Sequence, residues 1–130
     1  MSKFVEVKTA ELQGMALDWA VTGTGCLTIE QNGLRFDQQH RPTVGGDFEI
    51  PYEPSTNWSQ GGLLITRFNI DLTIERKGLI YASVCDDAGM PVVPGDVNGA
   101  FGSTHLIAAC RALVAYKTGE WVCIPKELLS

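Results

Sequence analysis

No run in this chain approaches the ~20 consecutive apolar residues that span a bilayer. The most apolar segment, LIAACRALVAY, is interrupted by Arg111, and the N-terminal MSKFVEVKTAEL has no stretch suited to a signal peptide. The chain therefore reads as soluble and intracellular, with no membrane partner. Clustered positive charge is also missing. Ten Lys and Arg residues are scattered, adjacent only at Arg76-Lys77, and the net charge is -5. A general grip on nucleic-acid phosphates is excluded, because that grip needs a basic patch. Metal-ligand spacing is absent too. The cysteines at 26, 85, 110 and 123 form no Cys-x-x-Cys pair, and His40 and His105 lie far apart in the sequence. No structural zinc site is expected, and the thiols read as ordinary buried side chains. No cofactor is implied.

What is present is a chain of 130 residues, 45% hydrophobic and 19% charged, which suits one domain with a real core. Residues 3–8 suit a short strand. ELQGMALDWAV reads as a helix after Thr9, with Leu12, Met15, Ala16, Trp19 and Ala20 on its apolar face. LTIEQ-NG-LRFD is a hairpin signal, since Asn32-Gly33 supplies the two positive-φ residues of a type I′ turn. A second hairpin is expected at NIDLTIE-RKG-LIYASV, where Ile70, Leu72 and Ile74 alternate with polar neighbours. Thr104 is placed to cap a helix running to Lys117, with Gly119 at its C-terminal cap and alanines at 108, 109, 112 and 115 for close packing on a sheet. WVCIP is the last strand. The expected fold is α+β: a mostly antiparallel sheet of about five strands with two helices, near 10–21 and 104–117, on one face. The whole chain, 1–130, forms one domain with long loops near 37–62 and 86–102.

Two segments carry what functional signal there is. In STNWSQGG, Trp58 offers a flat face, Ser55, Thr56, Asn57 and Gln60 supply donors and acceptors, and Gly61-Gly62 would admit a ligand near the backbone. The competing reading is that Trp58 fastens a loop to the core and the glycines turn the chain into a strand, LLITRF. In VNGAFGSTHLIAACR, the loop with Gly102, Ser103 and Thr104 leads into a helix, whose unpaired N–H groups favour an anion. Neither P-loop nor dinucleotide spacing is present, and a simple capped helix competes with it. Arg111, two turns on, is a surface residue or a partner for an acid. No catalytic residue is assigned: Cys110 falls on an apolar face, His105 stands at a first helical position, and Asp86-Asp87 suit a turn. The 55–62 stretch is expected at the rim of the main cleft, beside the 102–104 loop. Trp58 should keep one face open, and Asn57 or Gln60 should point into the same concavity.

Three segments together resemble one family of small proteins of tailed bacteriophages and prophages, the NinX-like family. They are VKTAELQGMALDWAV from Val7 to Val21, YEPSTNWSQGGLLITR from Tyr52 to Arg67, and GSTHLIAACRALVAYKTGEWVCIP from Gly102 to Pro125. The family often has Asp-Trp at Asn57-Trp58, proline at Leu63, and Thr-Pro-Leu at Thr104-His105-Leu106. The first departure removes a carboxylate. The last puts an imidazole where proline suits a first helical turn. The resemblance implies a phage accessory protein of unassigned activity in the host bacterial cytoplasm, with Trp19, Trp58, Gly61, Gly62 and Arg111 at characteristic positions. The function expected is a non-enzymatic module that binds a small molecule or a host protein. A small enzyme acting on a nucleotide or another phosphate-containing substrate is the alternative.

Overall fold

A computed structural model describes residues 4–22, 35–36, 42–44, 50–92 and 99–129. The Asn32-Gly33 hairpin turn lies outside the described residues. Among those described, the order is β1 (Phe4–Lys8), α1 (Gly14–Thr22), β2 (Arg35–Phe36), β3 (Pro42–Val44), β4 (Ile50–Pro51), α2 (Trp58–Arg67), β5 (Ile70–Arg76), β6 (Leu79–Val84), β7 (Ala100–Gly102), α3 (His105–Thr118) and β8 (Trp121–Pro125). The fold is α+β, as expected. Among the described residues its strands are shared among three antiparallel sheets, β1-β8, β2-β3-β4 and β5-β6-β7, and there is a third helix.

That helix, α2, replaces the expected loop and strand. Asn57 is extended and its side-chain oxygen accepts from the Ser59 amide at 2.9 Å, while the Gln60 and Gly61 amides bond back to the Asn57 carbonyl. A good N-cap thus starts a helix through Gly61-Gly62, despite the roughly 1 kcal/mol each mid-helix glycine costs. Gly61 is required by packing: a Cβ there would collide with the Pro54 carbonyl oxygen and come within 2.7 Å of Leu106 Cδ2.

The centre of the molecule is α3. Thr104 Oγ1 accepts from the Ile107 amide at 3.1 Å, and Gly119, at φ 92°, ends the helix by bonding back to Ala115. One side, with Cys110, Leu113 and Val114, packs with Leu17, Val21, Leu64 and Ile124. The other, Ala108, Ala109 and Ala112, lies on Ile70, Ile80, Ala82 and Ala100 of the β5-β6-β7 sheet. A helix apolar on both sides has to be enclosed on both sides. The short alanines let the sheet come close, and at Gly102 a Cβ would strike the Ala108 backbone.

Two details of the burial pattern differ from expectation. The helix α1 begins at Gly14, because Thr9–Glu11 form a separate 3-10 turn anchored by Thr9, whose amide donates to the Glu120 carbonyl at 2.8 Å. Its inward face is Ala16, Leu17, Ala20 and Val21, with Met15 exposed. In β5, Ile70 is buried with the alanines of α3, but Ile74 is open to solvent. The β5-β6 hairpin itself turns at Gly78, as expected.

Candidate functional site

The two segments singled out in the sequence meet in space. Trp58 is the first residue of α2 and His105 the first of α3, and their ring centroids are 6.1 Å apart. Between them is a cleft of about 250 Å³ lined by Ser55, Thr56, Trp58, Thr104 and His105, with Leu106 and Ile107. The N-terminal ends of two helices therefore face one concavity. Each such end carries partial positive charge and amides that no residue of its own helix can satisfy. At α3, Thr104 takes the Ile107 amide, but the His105 and Leu106 amides have no acceptor among the described residues. Trp58 is 58% exposed, so it does not fasten this segment to the core.

The remaining candidates divide. Ser55 is buried, and Thr56 and Thr104 stand at the edge of the cleft. Asn57 does not point into it, because its side chain caps α2. Gln60 is also spent elsewhere: its Oε1 accepts from the Glu53 amide at 2.6 Å and its Nε2 donates to the Pro51 carbonyl at 3.0 Å. This clamp holds the chain leading into the helix. Gly61 and Gly102 serve close packing rather than a ligand, Gly62 meets only the Trp58 ring, and Ser103 is exposed outside the cleft lining. Arg111 lies elsewhere: its Nε donates to the Leu12 carbonyl at 2.7 Å and its Nη1 to the Phe101 carbonyl at 2.9 Å. The cleft is not the largest concavity either; a groove of about 580 Å³ runs beside Glu11–Ala16 and Leu128.

Sequence reasoning missed Asp18. It is 3% exposed, and its Oδ1 accepts from the Ser55 amide at 2.8 Å. Burial raises its pKa from the usual 3.8 to about 6. The Ser55 amide and hydroxyl offset part of that rise, and the negative charge of Glu53 adds to it. The Ser55 hydroxyl faces the same carboxyl but makes no hydrogen bond of good geometry, and its oxygen is fully buried. Behind the cleft, therefore, a buried carboxyl and a buried hydroxyl lie together, and no cationic side chain among the described residues pairs with them. The available signal was phase: once Leu17 and Val21 define the buried face of α1, Asp18 turns inward beside them.

The fold and cleft define a small α+β domain with an open aromatic face above two helix N-termini. The chain belongs to the family described as Bacteriophage P22, NinX, whose match runs over residues 8–117 and takes in α1, α2 and nearly all of α3. No curated protein matches it. Membership implies a phage accessory protein and assigns no activity. Among the described residues no helix is long and apolar enough to cross a membrane.

Proposed function

We propose that this phage protein is a non-enzymatic binding module for a small planar anion, held between Trp58 and His105. The observation that carries this reading is the meeting of an exposed indole with the N-terminal ends of α2 and α3 in one cleft. The ring supplies a stacking face, and the uncapped amides of α3 supply donors for an anionic group. The domain's net negative charge offers no long-range attraction, so recognition rests on these local dipoles. Calorimetric titration with AMP, adenosine and inorganic phosphate separates the two contributions. AMP should bind most tightly, adenosine lacking the anion and phosphate lacking the ring. Equal binding of AMP by Trp58→Ala would sink the reading.

One observation favours an enzyme acting on a phosphate-containing substrate instead. Asp18 holds a proton up to about pH 6 and bonds to Ser55, which lines the cleft. Against this, the carboxyl itself is closed off from solvent and reaches the cleft only through Ser55. Phosphorus NMR of ATP and AMP incubated with the protein decides between them: new resonances mean turnover, unchanged ones leave binding alone.

A further inference from the structure

A separate cavity of about 220 Å³ opens where α3 passes β7 and the 3-10 turn after β1, and it holds Arg111 and Glu120 together with Ala100, Phe101 and Ala115. Arg111 is half-buried. Its two hydrogen bonds, to the Leu12 and Phe101 carbonyls, fix the guanidinium from one side. Five N–H groups project from a guanidinium, so among the described residues part of the fork, including all of Nη2, is left over. No carboxylate among the described residues, Glu120 on the same cavity included, forms an ion pair with it. Burial disfavours the charged guanidinium here. Thr9, also on the wall, has its hydroxyl committed to the Gly119 carbonyl at 2.7 Å.

A fixed cation and a carboxylate with no ion-pair partner among the described residues, on one small cavity with apolar lining, make a specific chemical demand. We propose that this cavity is a second binding site, for a small zwitterion of the amino-acid type. The ligand carboxylate takes the open edge of Arg111, the geometry in which guanidinium binds most strongly. The ammonium is directed to Glu120, and an apolar side chain covers Phe101, Ala100 and Ala115. The size agrees: pockets for drug-sized ligands run roughly 300–1,000 Å³, and this one is smaller. This site does not depend on the Trp58 cleft.

The test is an amide-resolved NMR titration of the full chain with L-leucine, 4-methylpentanoate and 3-methylbutylamine. Leucine should shift the amides of Ala100, Phe101, Ala115 and Glu120, together with the Arg111 Nε–H. Each single-charge analogue should bind roughly tenfold more weakly or worse. Arg111→Lys should lose leucine binding. Because Arg111 also ties two backbone segments together, Glu120→Gln provides the independent check. Its side chain is exposed, so the fold should persist, leucine should weaken by roughly tenfold, and 4-methylpentanoate should be unaffected. No shift at millimolar leucine, shifts confined to Trp58 and His105, or unchanged leucine binding by Glu120→Gln would overturn the proposal.

Discussion

Replacing Asp18 with asparagine keeps the shape of the side chain and removes its charge. In the native protein Oδ1 accepts from the Ser55 amide, and an asparagine Oδ1 can do the same. The added NH2 gives the buried Ser55 hydroxyl a donor. The carboxyl titrates near 3.8 when unfolded and at about 6 when folded. A folded pKa above the unfolded one means that the native state holds the proton more tightly. The stability from this group is therefore fully present below about pH 4 and is lost as pH rises through about 6. A rise of roughly two units corresponds to about 3 kcal/mol at neutral pH, a large share of a typical domain's ~5–15 kcal/mol. Asp18→Asn is free of this loss.

Urea midpoints of the two proteins, measured side by side from pH 4 to pH 8, isolate the effect, because every other carboxylate cancels in the difference. The variant should match the native protein near pH 4 and gain on it steadily, reaching about 3 kcal/mol by pH 8. A difference that stays constant with pH would refute the reasoning, as would a variant less stable at pH 8. Asp18→Ala serves as the contrast. It leaves the Ser55 amide without its acceptor and should cost about 1–3 kcal/mol even at pH 4.

The two glycines of α2 should behave oppositely. Gly61→Ala meets the Pro54 carbonyl and Leu106 and should lower stability by about 1–3 kcal/mol, whereas Gly62→Ala has room and should raise it by about 0.5–1 kcal/mol in thermal melts. Removing the cap with Asn57→Ala should cost about 1 kcal/mol and leave the Trp58 cleft otherwise intact. Trp58→Ala should change stability by no more than about 0.5 kcal/mol while abolishing AMP binding measured by calorimetry; loss of folding instead would make the indole a structural anchor.

Much of the fold was legible because local signals and packing agree. Thr104 and Gly119 mark both ends of α3, and its alanines foretell a close-lying sheet. The β5-β6 hairpin announces itself through alternation around Gly78. At 58–67 the local signals conflict. Two adjacent glycines and the β-formers of LLITRF argue against a helix, and Asn57 looks like one more turn residue. Tertiary packing overrides them: Gly61 fits under Pro54 and Leu106, which a strand at this position would not need. The meeting of Trp58 with the 104–107 turn was legible because each segment precedes a patterned element. The destination of Arg111 was not, since its partners are backbone carbonyls, which leave no trace in side-chain spacing.

Asp18 was hidden for a different reason. An acidic residue in a short helix is ordinarily read as its wet face, and here the surface it faces comes from the segment just before α2. That contact connects the core to the proposed binding cleft. A carboxyl that weakens the fold above pH 6 sits directly behind Ser55, while an isosteric amide would hold the same amide without the cost. Polar groups that reduce stability in this way concentrate where a protein meets its ligand. On the proposed reading, an anion in the cleft would meet less repulsion when Asp18 is protonated, so its affinity should weaken as pH rises through about 6. Affinity for AMP that stays constant from pH 5 to pH 8 would separate the buried carboxyl from the proposed cleft.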